Sequence, residues 1–439
     1  MSVMNSSTVI TIIPSDDQNI NNVGASSLRE KMNVMFIKRI QHYYSLLSLS
    51  RETIYGARNL LHSIKVGIAL ALVSLLYLVD PLFEQVGENA MWAIMTVVVV
   101  FEFFAGATLS KGLNRGMGTV LGGGLGCLAA TLAQEIGGTG RAIAAGTSVF
   151  IFGAAATYYR SIPTIKKRYD YGTMIFILTF NLVAVSGLRG EEVLALARER
   201  LSTIVIGFGV AVMTSLLIFP IWASDELHNS TVAKFSTLAL SIEGCMDQYL
   251  KTFNGKDDNE ISSTSDSCKK VLNSKANDEM LANFAKWEPW HGKFGFYHPW
   301  DKYLCIGELL RELAASMISL RGCIQSPLQT LLSPQQRFSS KEPCEAVAMI
   351  LACTLREFGE SINRMRKSRS RALVISKVQI MRLEISEAMS SASITENAHN
   401  YELEISTFVV LLMEMMDKVE KLAKEVEELG DLAGFLPHQ

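Results

Sequence analysis

The sequence lacks an ordered pattern of cysteines. The chain has 439 residues and seven cysteines, an odd number, and no two of them have the spacing of metal ligands. All except Cys127 lie after residue 222, which predicts a reducing compartment rather than a disulfide framework. An excess of one charge is also lacking, because the net charge is only −2. Gross charge therefore indicates no class of partner, and we expect no nucleic acid.

Catalytic motifs are missing as well. The histidines are dispersed, no serine or cysteine lies in a nucleophile motif, and no two carboxylates can be assigned to one cleft. We therefore expect no enzymatic activity, no cofactor and no firm metal site. The residues before Arg29 contain no lysine or arginine, and their apolar stretch Val9–Ile13 is too short for a secretory signal. This part is predicted to be a polar tail.

What the sequence does have is a series of long apolar runs. A helix needs roughly 20 apolar residues to cross a bilayer, and about 17 to 25 are tolerated. The runs that fall in or near this window are Leu60–Val79, Met91–Leu109, Gly116–Ala133, Ala142–Tyr159, Tyr171–Gly187 and Leu201–Trp222. So many buried helices in so short a segment would need an implausibly large soluble core. The sequence therefore predicts a membrane domain with six helices and the lipid bilayer as a partner.

The apolar runs end at Trp222, and the remainder of the chain is charged. We predict a cytosolic tail and basic lead-in over residues 1–59, a transmembrane domain over residues 60–222, and a helical cytosolic domain over residues 223–439. A polar linker is expected near residues 252–278. Helical spacing of apolar residues from Leu411 to Leu429 supports an all-α class, and this long apolar face suggests a contact in a dimer.

Lysine and arginine in the short loops predict the orientation in the membrane. With the N-terminus in the cytosol, the inner loops hold Lys111, Arg115, Arg160, Lys166, Lys167 and Arg168. The outer loops hold Arg141, Arg189, Arg198 and Arg200, which are accompanied by acidic residues. The positive-inside rule then places both termini in the cytosol. The kind of membrane, plasma or vacuolar, stays open.

The third apolar run is rich in glycine. Gly118, Gly122 and Gly126 recur every four residues, which gives one flat helical face on which another helix can pack closely. A phosphate-binding loop is the alternative, because Gly116 and Gly118 resemble half of a nucleotide fingerprint. That fingerprint requires a strand–loop–helix unit, whereas these glycines lie inside an apolar run. Helix packing is the favoured interpretation.

Two ionisable residues lie within apolar runs, where such residues are costly and by default functional candidates. Lys65 follows the start of the first run, and its side chain either reaches the inner headgroups or serves the function. Glu102 lies past the middle of the second run. We expect it to form an ion pair with Lys65, Lys111 or Arg115; a proton-carrying carboxylate is the alternative. The polar stretch Ser110–Gly116 is expected to be a tight inner turn that presents two cations.

Acidic residues cluster in the first outer loop. Asp80, Glu84 and Glu88 offer carboxylates to a polyvalent cation, although simple solvation explains them too. A second cluster, the aromatic stretch Lys286–Trp300, contains two histidines and a glutamate. Its spacing fits no known ligand motif, so packing is the favoured interpretation there.

Several stretches together resemble the plant aluminium-activated malate transporter family. They are His62–Gly67, Met91–Phe103, Gly106–Gly116, Gly153–Tyr158, Tyr169–Gly172, Phe219–Trp222, Trp287–Pro289 and Gly292–Phe294. The resemblance covers roughly residues 60 to 323 and is loosest in the N-terminal tail and the linker. It implies an anion channel for malate and inorganic anions such as chloride, nitrate and sulfate, built as a homodimer.

The residues expected to select anions are Lys65, Lys111, Arg115 and Arg200. Fixed cations in a pore with low-dielectric walls raise the local concentration of anions, and anion pores use rings of lysine and arginine. Arg115 is the strongest candidate, because it begins the glycine-rich run. Two other functions remain open: a proton-coupled organic-anion efflux transporter that uses Glu102, and a membrane scaffold that conducts nothing.

Overall fold

The structure, a computed structural model, describes residues 51–79, 90–187, 193–253, 262–295, 297–324, 341–367, 376, 379–380, 382–383 and 399–437. Contacts divide the chain into two compact units, Met1–Ile68 and Ala69–Gln439. The boundary lies within the first described helix, and every later helix belongs to the second unit.

The described residues are almost entirely helical. The helices before the end of the apolar region are α1 (Arg51–Leu78), α2 (Ala90–Val100), α3 (Ala105–Ile136), α4 (Gly138–Ser161), α5 (Pro163–Ser186) and α6 (Val193–Leu217). The later helices are α7 (Ala223–Phe253), α8 (Ser262–Leu272), α9 (Lys275–Ala285), α10 (Trp300–Ile324), α11 (Lys341–Arg364) and α12 (His399–Leu432). Within the described ranges, β pairing is limited to two isolated bridges. The all-α prediction is confirmed.

Five of the described helices, α1, α3, α4, α5 and α6, are long and apolar enough to cross a membrane. The sixth apolar helix, α2, has 11 residues and is therefore about 16 Å long, roughly half of a hydrocarbon core. The chain is a multi-pass membrane protein, but the expected continuous second span, Met91–Leu109, is wrong. The count of six spanning helices is not confirmed.

The break between α2 and α3 lies at residues 101–104, within an apolar sequence. The main-chain N–H of Glu102 donates to Thr108 Oγ1 at 3.0 Å, and that of Ala105 donates to the carbonyl of Ile221 at 3.1 Å. These partners replace helical hydrogen bonds, so the backbone can leave the helix without orphaned amides. The expected turn at Ser110–Gly116 is also wrong, because this stretch is helical within α3.

The glycines of α3 pack against α5, as their spacing predicts. A Cβ added at Gly122 would lie 2.7 Å from the carbonyl oxygen of Phe176, and one at Gly126 would lie 2.9 Å from Val183 Cβ. A Cβ at Gly118 would clash with the backbone of Gly172. The two helix backbones can approach so closely only where side chains are absent. The packing interpretation of this face is therefore confirmed.

Helices α7 to α12 form a region with one hydrophobic core, here called the C-terminal region. Its central side chains include Leu227, Leu238, Leu310 and Leu355, all fully buried. The polar linker expected near residues 252–278 is corrected in part: α8 and the start of α9 lie there, although residues 254–261 are outside the described ranges. Their polar sequence folds because Cys268 and Val271 face the core. The division into three domains stays a prediction.

The long C-terminal helix α12 uses its apolar face within the chain. Met415, Val419 and Leu422 are buried at 1% exposure or less, and α12 packs on α10 and α11. The helical spacing predicted over Leu411–Leu429 is thus confirmed. This face is covered by the chain itself, so it no longer supports a dimer contact, and the homodimer remains a prediction.

Candidate anion site

The break between α2 and α3 carries an ion pair. Glu102 lies in the break, and Lys111 lies between one and two turns into α3, where its ammonium contacts the Glu102 carboxylate. Both side chains keep roughly a third or more of their surface exposed, at 34% for Glu102 and 40% for Lys111. The pair brings together two of the residues singled out in the sequence. It also offsets part of the positive charge that Lys111 presents.

Arg115 lies one turn beyond Lys111 on α3 and is only 5% exposed. Its Nη1 donates to the Tyr171 hydroxyl of α5 at 3.1 Å, and its Nε has no hydrogen-bond partner in the described part of the chain. No salt bridge joins this guanidinium to a described carboxylate. A buried cation with a neutral partner keeps its field, because little solvent screens it. Its burial also means that Arg115 lies behind the surface rather than on it.

A cavity of about 740 Å³ lies farther along α3. It is lined by Thr119, Val120, Gly123, Gly124 and Cys127 of α3, Thr179 and Val183 of α5, and Arg198, Arg200 and Leu201 of α6. The glycines leave room on this side of α3, since a Cβ at Gly124 would meet nothing within 4 Å. Two arginines therefore line a space that is walled mainly by small and apolar side chains.

Arg200 is held by an aromatic ring. Its guanidinium carbon lies 4.3 Å from the centroid of the Trp92 ring of α2, a cation–π contact, and its buried Nε has no hydrogen-bond partner among the described residues. This contact stabilises the cation without neutralising it. The guanidinium therefore stays available to an anion, in contrast to the ammonium of Lys111.

The expected cations do not form one ring. Arg115 precedes Gly124 by nine residues on α3, which corresponds to about 13 Å along the helix axis. Thr119, the first of the α3 residues that line the cavity, lies about one turn beyond Arg115 and about two turns beyond Lys111. Lys65 belongs to the first compact unit and is 1% exposed on α1. The acidic residues Asp80, Glu84 and Glu88 lie outside the described residues.

Arg198 is the residue that sequence reasoning missed. It was assigned to an outer loop, because acidic residues surround it in the sequence, whereas α6 already begins at Val193. The signal that was present is the pair of arginines two residues apart at the edge of an apolar run. Hydropathy alone could not indicate that both would face the glycine-rich helix.

A second polar cluster outside the apolar helices consists of Ser224, Glu288 and His291. Ser224 Oγ lies 3.0 Å from His291 Nε2, which superficially matches a nucleophile and its base. However, the carboxylate of Glu288 contacts the serine, while His291 Nδ1 lies 2.8 Å from the carbonyl of Pro289. Ser224 is fully buried, so a substrate has no access to it. This geometry is not that of a catalytic triad.

The described residues contain no group of three or more His, Cys, Asp or Glu side chains suited to holding a metal ion. The aromatic stretch that follows α9 instead packs. The rings of Phe294 and Trp300 lie 5.1 Å apart, and both side chains are buried. The packing interpretation of this stretch agrees with these contacts.

Comparison with known proteins adds an independent finding. A family model described as aluminium activated malate transporter matches residues 56–400. The chain is 46% identical over 309 residues to aluminum-activated malate transporter 12 of Arabidopsis thaliana, an alignment that covers 70% of this chain and 55% of that protein. Its identity to transporter 14 of the same organism is 44% over 339 residues, covering 76% and 62% respectively.

A third relative, aluminum-activated malate transporter 2 of Arabidopsis thaliana, is 40% identical over 381 residues, covering 86% of this chain and 76% of that protein. The chain thus spans 55% to 62% of the length of the first two relatives. The matched range includes the α2–α3 break, the glycine-rich helix, the cavity, and α7 to α11.

Proposed function

This chain belongs to the aluminium-activated malate transporter family, and on that premise we propose that it is an anion channel that conducts malate and inorganic anions such as chloride, nitrate and sulfate. Homologues carry the name of malate transporters, which points away from an enzyme. The observation that carries the proposal is the cavity between α3, α5 and α6, which Arg198 and Arg200 help to line.

The proposed selectivity follows from electrostatics. A few fixed cations in a space with low-dielectric walls attract anions strongly, because field lines are focused where water is scarce. Malate carries two negative charges at neutral pH and gains more from such a field than chloride does. The hydroxyl of Thr179, which also lines the cavity, offers a hydrogen-bond donor to a carboxylate or a hydrated anion.

We assign Arg198 and Arg200 to direct contact with the anion, and Lys111 to the cytosolic approach. Arg115 acts through its field from behind the wall, since it is 5% exposed. Lys65 remains a proposed selectivity residue because it is a cation within an apolar run. Glu102 tunes the approach by pairing with Lys111.

A proton-coupled organic-anion transporter is the alternative that uses Glu102 as proton carrier. The ion pair with Lys111 supports a fixed carboxylate instead, because a carrier must lose this partner in every cycle. Voltage clamp separates the alternatives. A channel gives large currents that reverse near the anion equilibrium potential as malate, chloride and nitrate are exchanged. A carrier saturates and follows the pH gradient, and a scaffold passes no current.

The first test of the site replaces Arg198 and Arg200 singly by glutamine. We expect each change to lower the malate current about three- to tenfold and to reduce the preference for malate over chloride, because each removes one unit of charge from the cavity. Arg356→Gln is the matched control: its guanidinium pairs with Glu243 on the exposed surface of the C-terminal region. Surface labelling normalises all currents to protein at the membrane. Unchanged currents and selectivity in both cavity variants would overturn the assignment.

We further propose a homodimer with both termini in the cytosol, in a plasma or vacuolar membrane. A cysteine introduced at Gln85, between the acidic residues of the first outer loop, tests the orientation. A membrane-impermeant thiol reagent should label it without permeabilisation. Labelling only after permeabilisation would show that this loop faces the cytosol and that the proposed orientation is wrong. A monomeric mass, after correction for bound detergent, would contradict the proposed homodimer.

A further inference from the structure

The connector between α6 and α7, residues 218–222, is held from two sides. The carbonyl of Ile221 accepts a hydrogen bond from the N–H of Ala105, the first residue of α3, at 3.1 Å. The N–H groups of Ala223 and Ser224, the first residues of α7, donate to the Glu288 carboxylate at 2.6 and 3.1 Å. One short segment therefore ties the start of α3 to the start of the C-terminal region.

The connector also stores backbone strain. Phe219 has a φ of 44°, which an L residue with a large side chain rarely adopts, and a proline follows it. Such positions persist only where the surroundings impose them, and they are frequent in segments that switch. The hydrogen bonds on either side are the restraints that the structure provides here.

Glu288 lies at the contact between α3 and the C-terminal region. It is 8% exposed, and a Cβ added at Gly106, in the first turn of α3, would lie 2.8 Å from its Cγ. The same Cβ would clash with the carbonyl of Phe284 in α9. A displacement of Glu288 is therefore felt directly by the helix that carries Lys111 and Arg115.

His291 completes the cluster. Its ring stacks on Trp222 of the connector, with centroids 3.8 Å apart and planes 12° apart. Its Nε2 lies 3.0 Å from Ser224 Oγ and 4.0 Å from Glu288 Oε2. Ser224 Oγ in turn lies 2.5 Å from Glu288 Oε2. The imidazole side chain keeps 14% exposure, so it can exchange a proton with solvent while Ser224 cannot.

Counting protons shows what this geometry requires. The carbonyl of Pro289 can only accept, so the proton of the 2.8 Å contact lies on His291 Nδ1. Ser224 has a single hydroxyl proton but faces two groups, Glu288 Oε2 and His291 Nε2. Both contacts are hydrogen bonds only if the acid and the imidazole together hold one further proton, either on Nε2 or on the carboxyl group. Without it, two acceptors face one donor.

The surroundings of Glu288 and His291 act on the shared proton in opposite directions. Two main-chain N–H groups and the start of α7 stabilise negative charge on Glu288, and the face of Trp222 stabilises a cation on His291. Burial acts in the opposite direction and raises the pKa of Glu288. Of the other groups nearby, the charged Lys293 contacts His228 Nε2 at 3.2 Å, and the neutral ring of Phe294 lies 6.1 Å from that of His291.

We infer that Glu288, Ser224 and His291 form a proton-dependent latch, and that release of their shared proton to the cytosol loosens the connector and changes anion conductance. The inference rests on the proposed channel function. Histidine is the side chain used most often in proton-dependent switches, and the gain or loss of one proton here changes hydrogen bonds at two residues. Without the shared proton, the hydroxyl of Ser224 cannot form hydrogen bonds with both Glu288 and His291. The Glu288 carboxylate, which accepts from the amides of Ala223 and Ser224, is then no longer held in place by the Ser224 hydroxyl.

The experiment uses the full-length protein in excised membrane patches with the C-terminal side facing the bath. We expect the malate conductance of the parent to change about two- to tenfold between about pH 6 and 8 in the bath, the range that one hydrogen bond provides. Ser224→Ala removes the hydroxyl but keeps both capping amides, and His291→Phe keeps the stacking surface without the proton. Both variants should abolish most of this pH dependence.

Ser236→Ala is the matched control, because this serine is on α7 as well and donates only to the carbonyl of Val232. It should retain the pH dependence of the parent. An unchanged pH dependence in Ser224→Ala and His291→Phe overturns the inference, and so does a parent conductance that is independent of bath pH.

A second measurement does not depend on conduction. Hydrogen–deuterium exchange of the amides of residues 221–226, corrected for intrinsic rates, should be about two- to tenfold faster at pH 8 than at pH 6 in the parent. In His291→Phe the exchange should be equally fast at both pH values. If the protein passes no current but shows this exchange pattern, the channel function is contradicted and the latch is supported. If it passes current but does not show the pattern, the latch is contradicted and the channel function is supported.

Discussion

The membrane helices and the C-terminal region treat buried charge in different ways. In the C-terminal region, Lys234, Asp278 and Arg311 keep exposures of 7%, 2% and 8% at their side chains, and they are paired: the Asp278 carboxylate accepts from Lys234 Nζ at 2.5 Å and from Arg311 at 3.1 Å. In the membrane helices, Arg115 has a tyrosine hydroxyl and Arg200 an aromatic ring, and neither forms a salt bridge with a described carboxylate.

This difference distinguishes charged residues that stabilise the fold from charged residues that are available to an anion. In the C-terminal region, the buried carboxylate of Asp278 offsets both cations and links α7, α9 and α10. Cations left without a counter-charge are costly, and the cost is tolerated where an anion completes the site. The Lys111–Glu102 pair lies between these two cases, because it is partly exposed and located at a helix break.

The largest expected effect breaks the paired network. Asp278→Ala leaves Lys234 buried without its carboxylate and leaves Arg311 with Glu308 as its remaining acidic partner, and it should lower the free energy of unfolding by about 3 to 5 kcal/mol. The loss of stability is measured as a lower melting temperature of the solubilised protein, with size-exclusion chromatography as the readout of unfolding. Asp266→Ala is the control, since its pair with Lys269 is exposed and spans 3.8 Å, and about 1 kcal/mol or less is expected. Equal melting temperatures would show that the network is not structural.

The next effect concerns the packing on which the cavity depends. Gly122→Ala places a methyl group 2.7 Å from the carbonyl oxygen of Phe176 and should destabilise by about 1 to 3 kcal/mol. Gly124→Ala, two residues later and free of neighbours within 4 Å, should instead be neutral or stabilise by up to about 1 kcal/mol, because alanine favours a helix. The same melting experiment compares the two, and a loss of stability in both would disprove the one-sided packing of α3.

A smaller effect is expected for the partly exposed pair of Lys111 and Glu102. Glu102→Gln removes the negative partner of Lys111 and should raise the anion current about two- to threefold through the freed positive charge. The double variant Glu102→Gln with Lys111→Met should fall back to the parent value or below. A lower current in Glu102→Gln, together with loss of dependence on the pH gradient, would instead identify Glu102 as a proton carrier.

The effect that is smallest near neutral pH concerns two histidines that the C-terminal region keeps uncharged. Burial, aided by the charge of Lys293, lowers the pKa of His228 and of His298 to about 4. The folded state then binds fewer protons than the unfolded state between about pH 4 and 6.5, so stability falls as the pH is lowered through this range. His228→Gln, which retains a partner for the Tyr303 hydroxyl, should flatten this fall in melting temperature and leave values near pH 7.5 similar. An identical slope in both proteins would contradict buried neutral histidines.

Part of the fold could be predicted from local sequence. The spacing of Gly118, Gly122 and Gly126 predicts one packing face, and the apolar positions of α12 predict its buried stripe, because both follow from the helical period alone. The break at residues 101–104 could not be predicted in this way. It occurs in an apolar stretch and depends on the carbonyl of Ile221, which is more than a hundred residues away.

The candidate site shows the same division. Glu102 is a candidate from sequence because charge in an apolar run is costly, and Lys111 because it is a cation in the short stretch between two such runs; neither rule needs a structure. Arg198 was missed because the sequence around it is acidic and resembles a loop. The latch residues Ser224, Glu288 and His291 stand out in the sequence only as parts of a helix start and an aromatic stretch, since their contacts join segments more than sixty residues apart.

By itself the sequence determined that this is an all-α, multi-pass membrane protein of the aluminium-activated malate transporter family, because hydropathy, helical period and family motifs are properties of contiguous residues. Only the tertiary structure decided where the second apolar run breaks, which cations are paired and which face a cavity, and how α3 meets the C-terminal region. The physical reason is that an ion pair or a hydrogen bond acts over a few ångströms in space. Which distant residues come that close is set by packing.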